Sequence, residues 1–200
     1  MIYRVLCIGD SHTAGFPLFD PVFGGNPRSS YQYWLQKNCQ AVVPDLCLVL
    51  SNRGVCGQTS HEIVTRLRRE LDRSQVEYNS IIFWAGANDI ALGYGSVEIF
   101  ENIKKGVRIS QEFRLKILVL TLPPMPLGWG DVVRQVNTML TTNSGELYYV
   151  VDTYSVLEEN GNLSPHYDCG DGIHLSVMGY RVVGRLLCEA IQCFLGVPQE

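Results

Sequence analysis

The sequence predicts an α/β fold, a doubly wound parallel sheet with helices on both faces. Two observations carry this. Short apolar runs alternate along the chain with segments of helical period, the pattern of a layered α/β domain. The apolar runs are near-continuous and bounded by Gly and Pro, as suits strands buried on both faces rather than half-exposed ones.

The elements follow in order. Ile2 to Ile8 reads as a strand closed by Gly9. Leu46 to Leu50 is a second, Ser80 to Trp84 a third closed by Gly86, and Leu115 to Leu122 a fourth stopped by Pro123-Pro124. Leu147 to Val151 is a fifth and weaker one. Ser29-x-x-Gln32 and Thr59-x-x-Glu62 fit capping boxes, so helices are expected to start there. Val97 to Glu112 and Asp131 to Thr141 are further helices. The last begins after Ser176 as N-cap, where Val183, Leu186, Leu187, Ala190, Ile191 and Phe194 recur at three- and four-residue steps and form one apolar face.

Two hundred residues suit a single domain, 1–200, with one sizeable core. Hydrophobic residues make up 46% and charged ones 18%, and the net charge of −4 offers no basic footprint for nucleic acid. No stretch is long and apolar enough to span a membrane. Seven cysteines, an odd number with no CxxC spacing, argue against a disulfide framework and against a zinc ribbon. Cys7, Cys47, Cys188 and Cys193 lie in apolar runs and are expected to act as small hydrophobes. Met1 leads straight into an apolar run without a cleavage-site pattern. Together these predict a reduced, cytoplasmic protein.

Four short blocks carry chemistry. Gly9-Asp10-Ser11-His12 follows the first strand, where a sharp turn would hold the Ser11 hydroxyl at the carboxyl edge of the sheet. Ligands bind outside that edge in open parallel sheets. A serine is a poor nucleophile without a base. Asp171-Gly172-Ile173-His174 precedes the last helix, and an Asp three residues before a His can accept the imidazole Nδ1–H and leave Nε2 to take a proton. Acyl transfer also needs donors for the developing oxyanion. Asn52-x-Gly54-x-x-Gly57-x-Thr59 could supply the Gly57 N–H, and Gly86-Ala87-Asn88-Asp89 the Asn88 amide. Taken alone, each block is more simply read as an ordinary turn or cap.

In this order, spread over residues 9 to 174, the four blocks resemble those of the SGNH (GDSL-type) hydrolases. The resemblance implies a flavodoxin-like three-layer α/β/α sandwich with a five-stranded parallel sheet. It implies a serine esterase with Ser11, His174 and Asp171 as catalytic triad. Gly57, Asn88 and the backbone N–H of Ser11 match the oxyanion hole. It implies a small-molecule ester as substrate and no cofactor. His12 stands where the family's short name has Leu, and Ala87 replaces a second Gly. His12 is expected to contact substrate or to be structural, and Asp10 to stabilise the turn.

Other readings stay open. A carbohydrate O-deacetylase or a thioesterase would use the same apparatus, and a flavodoxin-like binding module would use none of it. His166, Asp168, Cys169 and His174 cluster within nine residues in the manner of metal ligands, but no second cluster completes the spacing and the expectation is no metal. His61, early in a capped helix, is expected to be exposed. Two loops, Phe16 to Pro27 and Pro123 to Gly130, are rich in aromatic residues and Pro and could wall the site.

Overall fold

The computed structural model describes residues 2–126, 128–145 and 147–195. Five parallel strands form the main sheet: β1 (Ile2–Gly9), β2 (Cys47–Gly54), β3 (Ser80–Trp84), β4 (Lys116–Leu120) and β5 (Tyr149–Val151). Their spatial order is β2-β1-β3-β4-β5. The chain therefore reverses its direction of winding between β1 and β3, the point where doubly wound sheets open a crevice at their carboxyl edge. Among the described residues, eight α-helices connect and flank the strands: α1 (Ser11–Ala14), α2 (Tyr31–Val42), α3 (Ser60–Arg73), α4 (Ala87–Ala91), α5 (Ser96–Glu112), α6 (Gly130–Thr142), α7 (Tyr154–Leu157) and α8 (Val177–Leu195). This is the α/β/α sandwich expected from the sequence.

Strand alternation sorts the core into two halves. Leu6, Ile8, Ile81, Phe83, Ile117 and Val119 face one side, against Ile63 and Leu67 of α3, Ile99 and Ile103 of α5 and Val133 of α6. Val5, Cys7, Ile82, Trp84, Leu118 and Leu120 face the other, against Leu35 of α2 and Val183, Leu187 and Ile191 of α8. Each fully buried aliphatic side chain contributes about 1.5–3 kcal/mol of transfer free energy. The central strands thus anchor the loops that leave their carboxyl ends.

Some boundaries differ from expectation for identifiable reasons. The second strand continues past Leu50 through polar Ser51-Asn52-Arg53 because its register with β1 is unbroken from Ile2↔Cys47 to Gly9↔Gly54. The fourth stops at Leu120, since the Leu122 N–H donates to Asn137 Oδ1 (2.8 Å) and its carbonyl accepts from Asn137 Nδ2 (2.9 Å). A side chain of α6 thus replaces the strand partner. Thr59 and Glu62 form the expected capping box of α3, and Ser176 Oγ accepts the Gly179 N–H at 3.3 Å at the start of α8. The expected box at Ser29 and Gln32 is not formed. Helix α2 begins at Tyr31 behind Ser30, which makes no side-chain cap, and Ser29 and Gln32 instead bind the turn after β1.

The cysteines also need correction. Cys7, Cys39 and Cys188 are buried, with Cys39 Sγ and Cys188 Sγ 3.1 Å apart between α2 and α8. Cys47 and Cys193 are exposed. Cys47 sits on an edge strand whose alternate residues face outward, and Cys193 falls outside the apolar stripe of α8.

Gly54 fixes how α1 meets the sheet. A Cβ there would lie 2.0 Å from Ala14 N and 2.4 Å from Ala14 Cα, both backbone atoms that cannot rotate away. Gly54→Ala is expected to cost about 1–3 kcal/mol, the usual range for overpacking. Urea unfolding should show it as a lower midpoint at unchanged slope. An unchanged midpoint would mean that α1 has room to move.

Candidate active site

The turn after β1 is built to present one hydroxyl. Asp10 caps α1, its Oδ1 accepting the His12 N–H at 3.0 Å. A helix this short leaves its last carbonyls without helical partners, and side chains from three other segments reach the turn. Gln32 Nε2 donates to Thr13 O (2.9 Å), Asn52 Nδ2 to Ala14 O (3.1 Å) and Ser29 Oγ to Gly15 O (3.0 Å). Ser11, the first residue of α1, is thereby fixed at the carboxyl edge, at the switch point between β1 and β3. It is only 6% exposed.

The structure brings Ser11, His174 and Asp171 into one hydrogen-bonded chain. Ser11 Oγ lies 3.0 Å from His174 Nε2, and His174 Nδ1 lies 2.6 Å from Asp171 Oδ2. The other Asp171 oxygen accepts the N–H groups of Ile173 (2.9 Å) and His174 (2.8 Å). Asp168 shapes the loop from within: its Oδ1 accepts from the backbone of Gly170, Asp171 and Gly172 at 2.8–3.2 Å. Leu175, fully buried, pins the loop's far end. Because Nδ1 faces a carboxylate it must carry the proton, which leaves Nε2 as acceptor toward Ser11.

Partial burial acts to raise the Asp171 carboxyl. The His174 N–H, the His174 ring and the Ile173 N–H outweigh it and hold the group well below the usual carboxylate range. A depressed carboxyl stabilises the fold above its unfolded value and loses that contribution only as pH falls through the folded one. Asp171 therefore stays ionised through the mildly acid range.

The second and third blocks meet beside α3. Gly57 adopts φ +80°, a left-handed conformation that disfavours side chains, with open space where a Cβ would point. Asn88 Nδ2 donates to Gln58 O at 2.9 Å, which uses one amide hydrogen and leaves the second. Asp89 locks the two blocks together, accepting from Ser60 N (2.7 Å) and Ser60 Oγ (2.5 Å). Asn102 Nδ2 donates to Ser60 Oγ (3.1 Å). Burial pushes the Asp89 carboxyl up, opposed by the Ser60 donors. A cleft of about 650 Å³ opens beside Gly57, with Thr59, His61, Tyr94, Glu98 and Lys105 among its walls.

Several features were not foreseen from the sequence. Phe16 packs edge-on against His174 with ring centroids 4.6 Å apart, so part of the aromatic loop does wall the site. Val22 and Phe23 of the same loop are exposed instead. Asp89, Ser60 and Asn102 carried no motif that singled them out as a unit. His61 is exposed, as expected. Asp168, Cys169 and Asp171 bring potential ligand atoms within 4.8 Å of one another. Their carboxylates are already engaged, Asp168 by backbone donors and Asp171 by His174. His166 lies apart from them against Tyr167, ring centroids 5.1 Å apart. Among the described residues no helix is long and apolar enough to cross a membrane.

The GDSL-like lipase/acylhydrolase family model matches residues 7–182. No curated protein sequence matches significantly. Among solved structures, a member of the lipolytic G-D-S-L family from Veillonella parvula superposes with TM-score 0.77 at 20% identity, over 96% of this chain and 99% of that one. The lipase/acylhydrolase from Enterococcus faecalis gives 0.76 at 20% identity, over 99% and 100%. A family 3 carbohydrate esterase from Clostridium thermocellum gives 0.74 at 17% identity, with all of both chains covered. At these identities the structural likeness bears on the fold.

Proposed function

Because the chain belongs to the GDSL-like lipase/acylhydrolase family, we propose that it hydrolyses acyl esters of a small molecule through Ser11, His174 and Asp171. The observation that supports this most is the unbroken run of contacts from Ser11 Oγ through the His174 ring to Asp171, at 3.0 and 2.6 Å.

In this reading His174 Nε2 takes the Ser11 proton as Oγ bonds to the ester carbonyl carbon. The carbonyl oxygen becomes an oxyanion held by the N–H groups of Ser11 and Gly57 and by the second Asn88 amide hydrogen. The C–O bond to the alcohol then breaks, and His174 returns its proton to the leaving oxygen. Water, deprotonated by the same Nε2, attacks the acyl-enzyme and releases the acid and Ser11. Asp171 holds the tautomer and stabilises the imidazolium in both halves. No cofactor enters any step. The cysteine spacing, which fits no disulfide framework, favours a reducing compartment such as the cytoplasm.

Steady-state hydrolysis of p-nitrophenyl acetate tests the reading. Asn88→Ala should lower kcat by about 10²–10³-fold, the usual cost of one oxyanion donor. KM should move much less, since the contact strengthens only as charge develops. A raised KM at unchanged kcat would make Asn88 a ground-state binding residue.

The polar cleft beside Gly57 favours a second reading, a carbohydrate O-deacetylase. Glu98 and Lys105 offer hydrogen bonds to sugar hydroxyls, and Tyr94, 40% exposed, offers a ring face. An acetylated xylo-oligosaccharide should then be a better substrate than p-nitrophenyl octanoate.

A further inference from the structure

We infer that His12 is held doubly protonated and, in that form, is the positioning residue that ties the loop bearing His174 to the turn bearing Ser11. The inference rests on the reading of His174 as general base.

Both nitrogens of the His12 ring face acceptors. Nδ1 lies 3.3 Å from Asp10 Oδ1, and Nε2 lies 3.0 Å from the carbonyl oxygen of Ile173. A carboxylate and a carbonyl can only accept, and a neutral imidazole has one N–H to give. Satisfying both requires the imidazolium. Water cannot stand in, because the side chain is only 1% exposed. The ring is also confined, with Trp84 centred 5.1 Å away and the His174 ring 5.4 Å away at an interplanar angle of 29°.

The charges around it are consistent with this state. Asp10 on its own turn and Asp171 on the facing loop are anionic neighbours, while β3 presents only the uncharged Trp84. His174 is the other titratable ring in contact. Arg66 of α3 reaches the turn from outside, its Nη2 donating to Gly9 O at 2.9 Å. Burial alone disfavours the cation, but Asp10, the Ile173 carbonyl and Asp171 outweigh it and hold His12 above the ordinary histidine range. A raised value means the stabilisation is full below the unfolded pKa of about 6.5 and is lost as pH rises through the folded one.

The geometric consequence falls on His174. Ile173 is its chain neighbour, and the Ile173 N–H also binds Asp171 Oδ1. One bond from His12 Nε2 to the Ile173 carbonyl therefore sets the height of Asp171 and His174 over Ser11. Residue 12 acts through this peptide and, although its ring stacks beside that of His174, takes no part in the bond changes.

The test uses the full-length protein labelled with ¹⁵N. Long-range ¹H–¹⁵N correlation spectra near neutral pH resolve the four histidine rings, with His12 assigned by its loss in His12→Gln. The expected result is two protonated ring nitrogens on His12; one unprotonated nitrogen overturns the inference. Kinetics on p-nitrophenyl acetate give the second readout. His12→Leu fills the slot without donors and should lower kcat by about tenfold to a hundredfold, the scale of small misplacements of a catalytic group, with KM little changed. His12→Gln, which can return an amide N–H to the Ile173 carbonyl, should recover much of that loss. A His12→Leu enzyme with wild-type kcat overturns the positioning role. If His12→Leu does not fold, the wild-type spectrum and His12→Gln decide. A doubly protonated His12 in a wild-type protein without esterase activity supports the tie and counts against the hydrolase reading alone.

Discussion

Ser11→Ala removes ester hydrolysis and leaves the fold in place. The expected loss in kcat is about 10⁴–10⁶-fold, since without the nucleophile only binding and oxyanion stabilisation remain. Stability should change by less than about 1 kcal/mol, because one modest hydrogen bond is removed. Ser11 Oγ contacts His174 Nε2, and the turn is held by other atoms: the Asp10 cap and the donors from Ser29, Gln32 and Asn52. Hydrolysis of p-nitrophenyl acetate together with thermal unfolding measures both. A variant that keeps most of the wild-type rate would remove Ser11 from the chemistry.

Asp171→Asn is the second large effect, an expected drop of about 10⁴-fold in kcat, the scale seen when a triad carboxylate becomes an amide. The amide can turn its NH₂ toward Nδ1, which moves the ring proton to Nε2. That nitrogen then points a donor at Ser11 Oγ and cannot accept its proton. Asn also loses the charge that stabilises the imidazolium. The wild-type carboxyl is held well below its usual range by the His174 and Ile173 donors, against partial burial, so it is ionised wherever the assay is run. The deficit should therefore persist at every pH above the mildly acid range. A variant within tenfold of wild type would mean that another group orients His174.

Most of the fold was legible in the sequence because its cause is local. Ser80–Trp84 is an uninterrupted buried run between turn residues and was delimited to the residue. The apolar stripe of α8 and the Thr59–Glu62 box of α3 likewise lie within a few turns of chain. What escaped depends on partners distant in sequence. Leu122 reads as strand but is taken by Asn137. Ser29 and Gln32 read as a helix start, yet their side chains go to the carbonyls of Gly15 and Thr13 in the turn after β1.

The same division runs through the site. Ser11, Gly57, Asn88, Asp171 and His174 each sit in a short block that is weak alone; the order of the four blocks, and the SGNH resemblance it carries, single them out. Asp89 to Ser60 spans 29 residues and His12 to Ile173 spans 161, and nothing in either local sequence announces the contact. The sequence places His12 between a substrate contact and a structural role. Its burial and its bond to the loop that carries His174 favour the structural one.

The most direct test of the central claim is covalent labelling with a fluorophosphonate, which reacts with a serine only when a neighbouring base activates it. Intact mass should show one adduct per chain, and peptide mapping should place it on Ser11. His174→Ala should abolish it in a protein that still folds. No adduct under conditions that saturate other serine hydrolases, or an adduct on a different residue, would contradict the account.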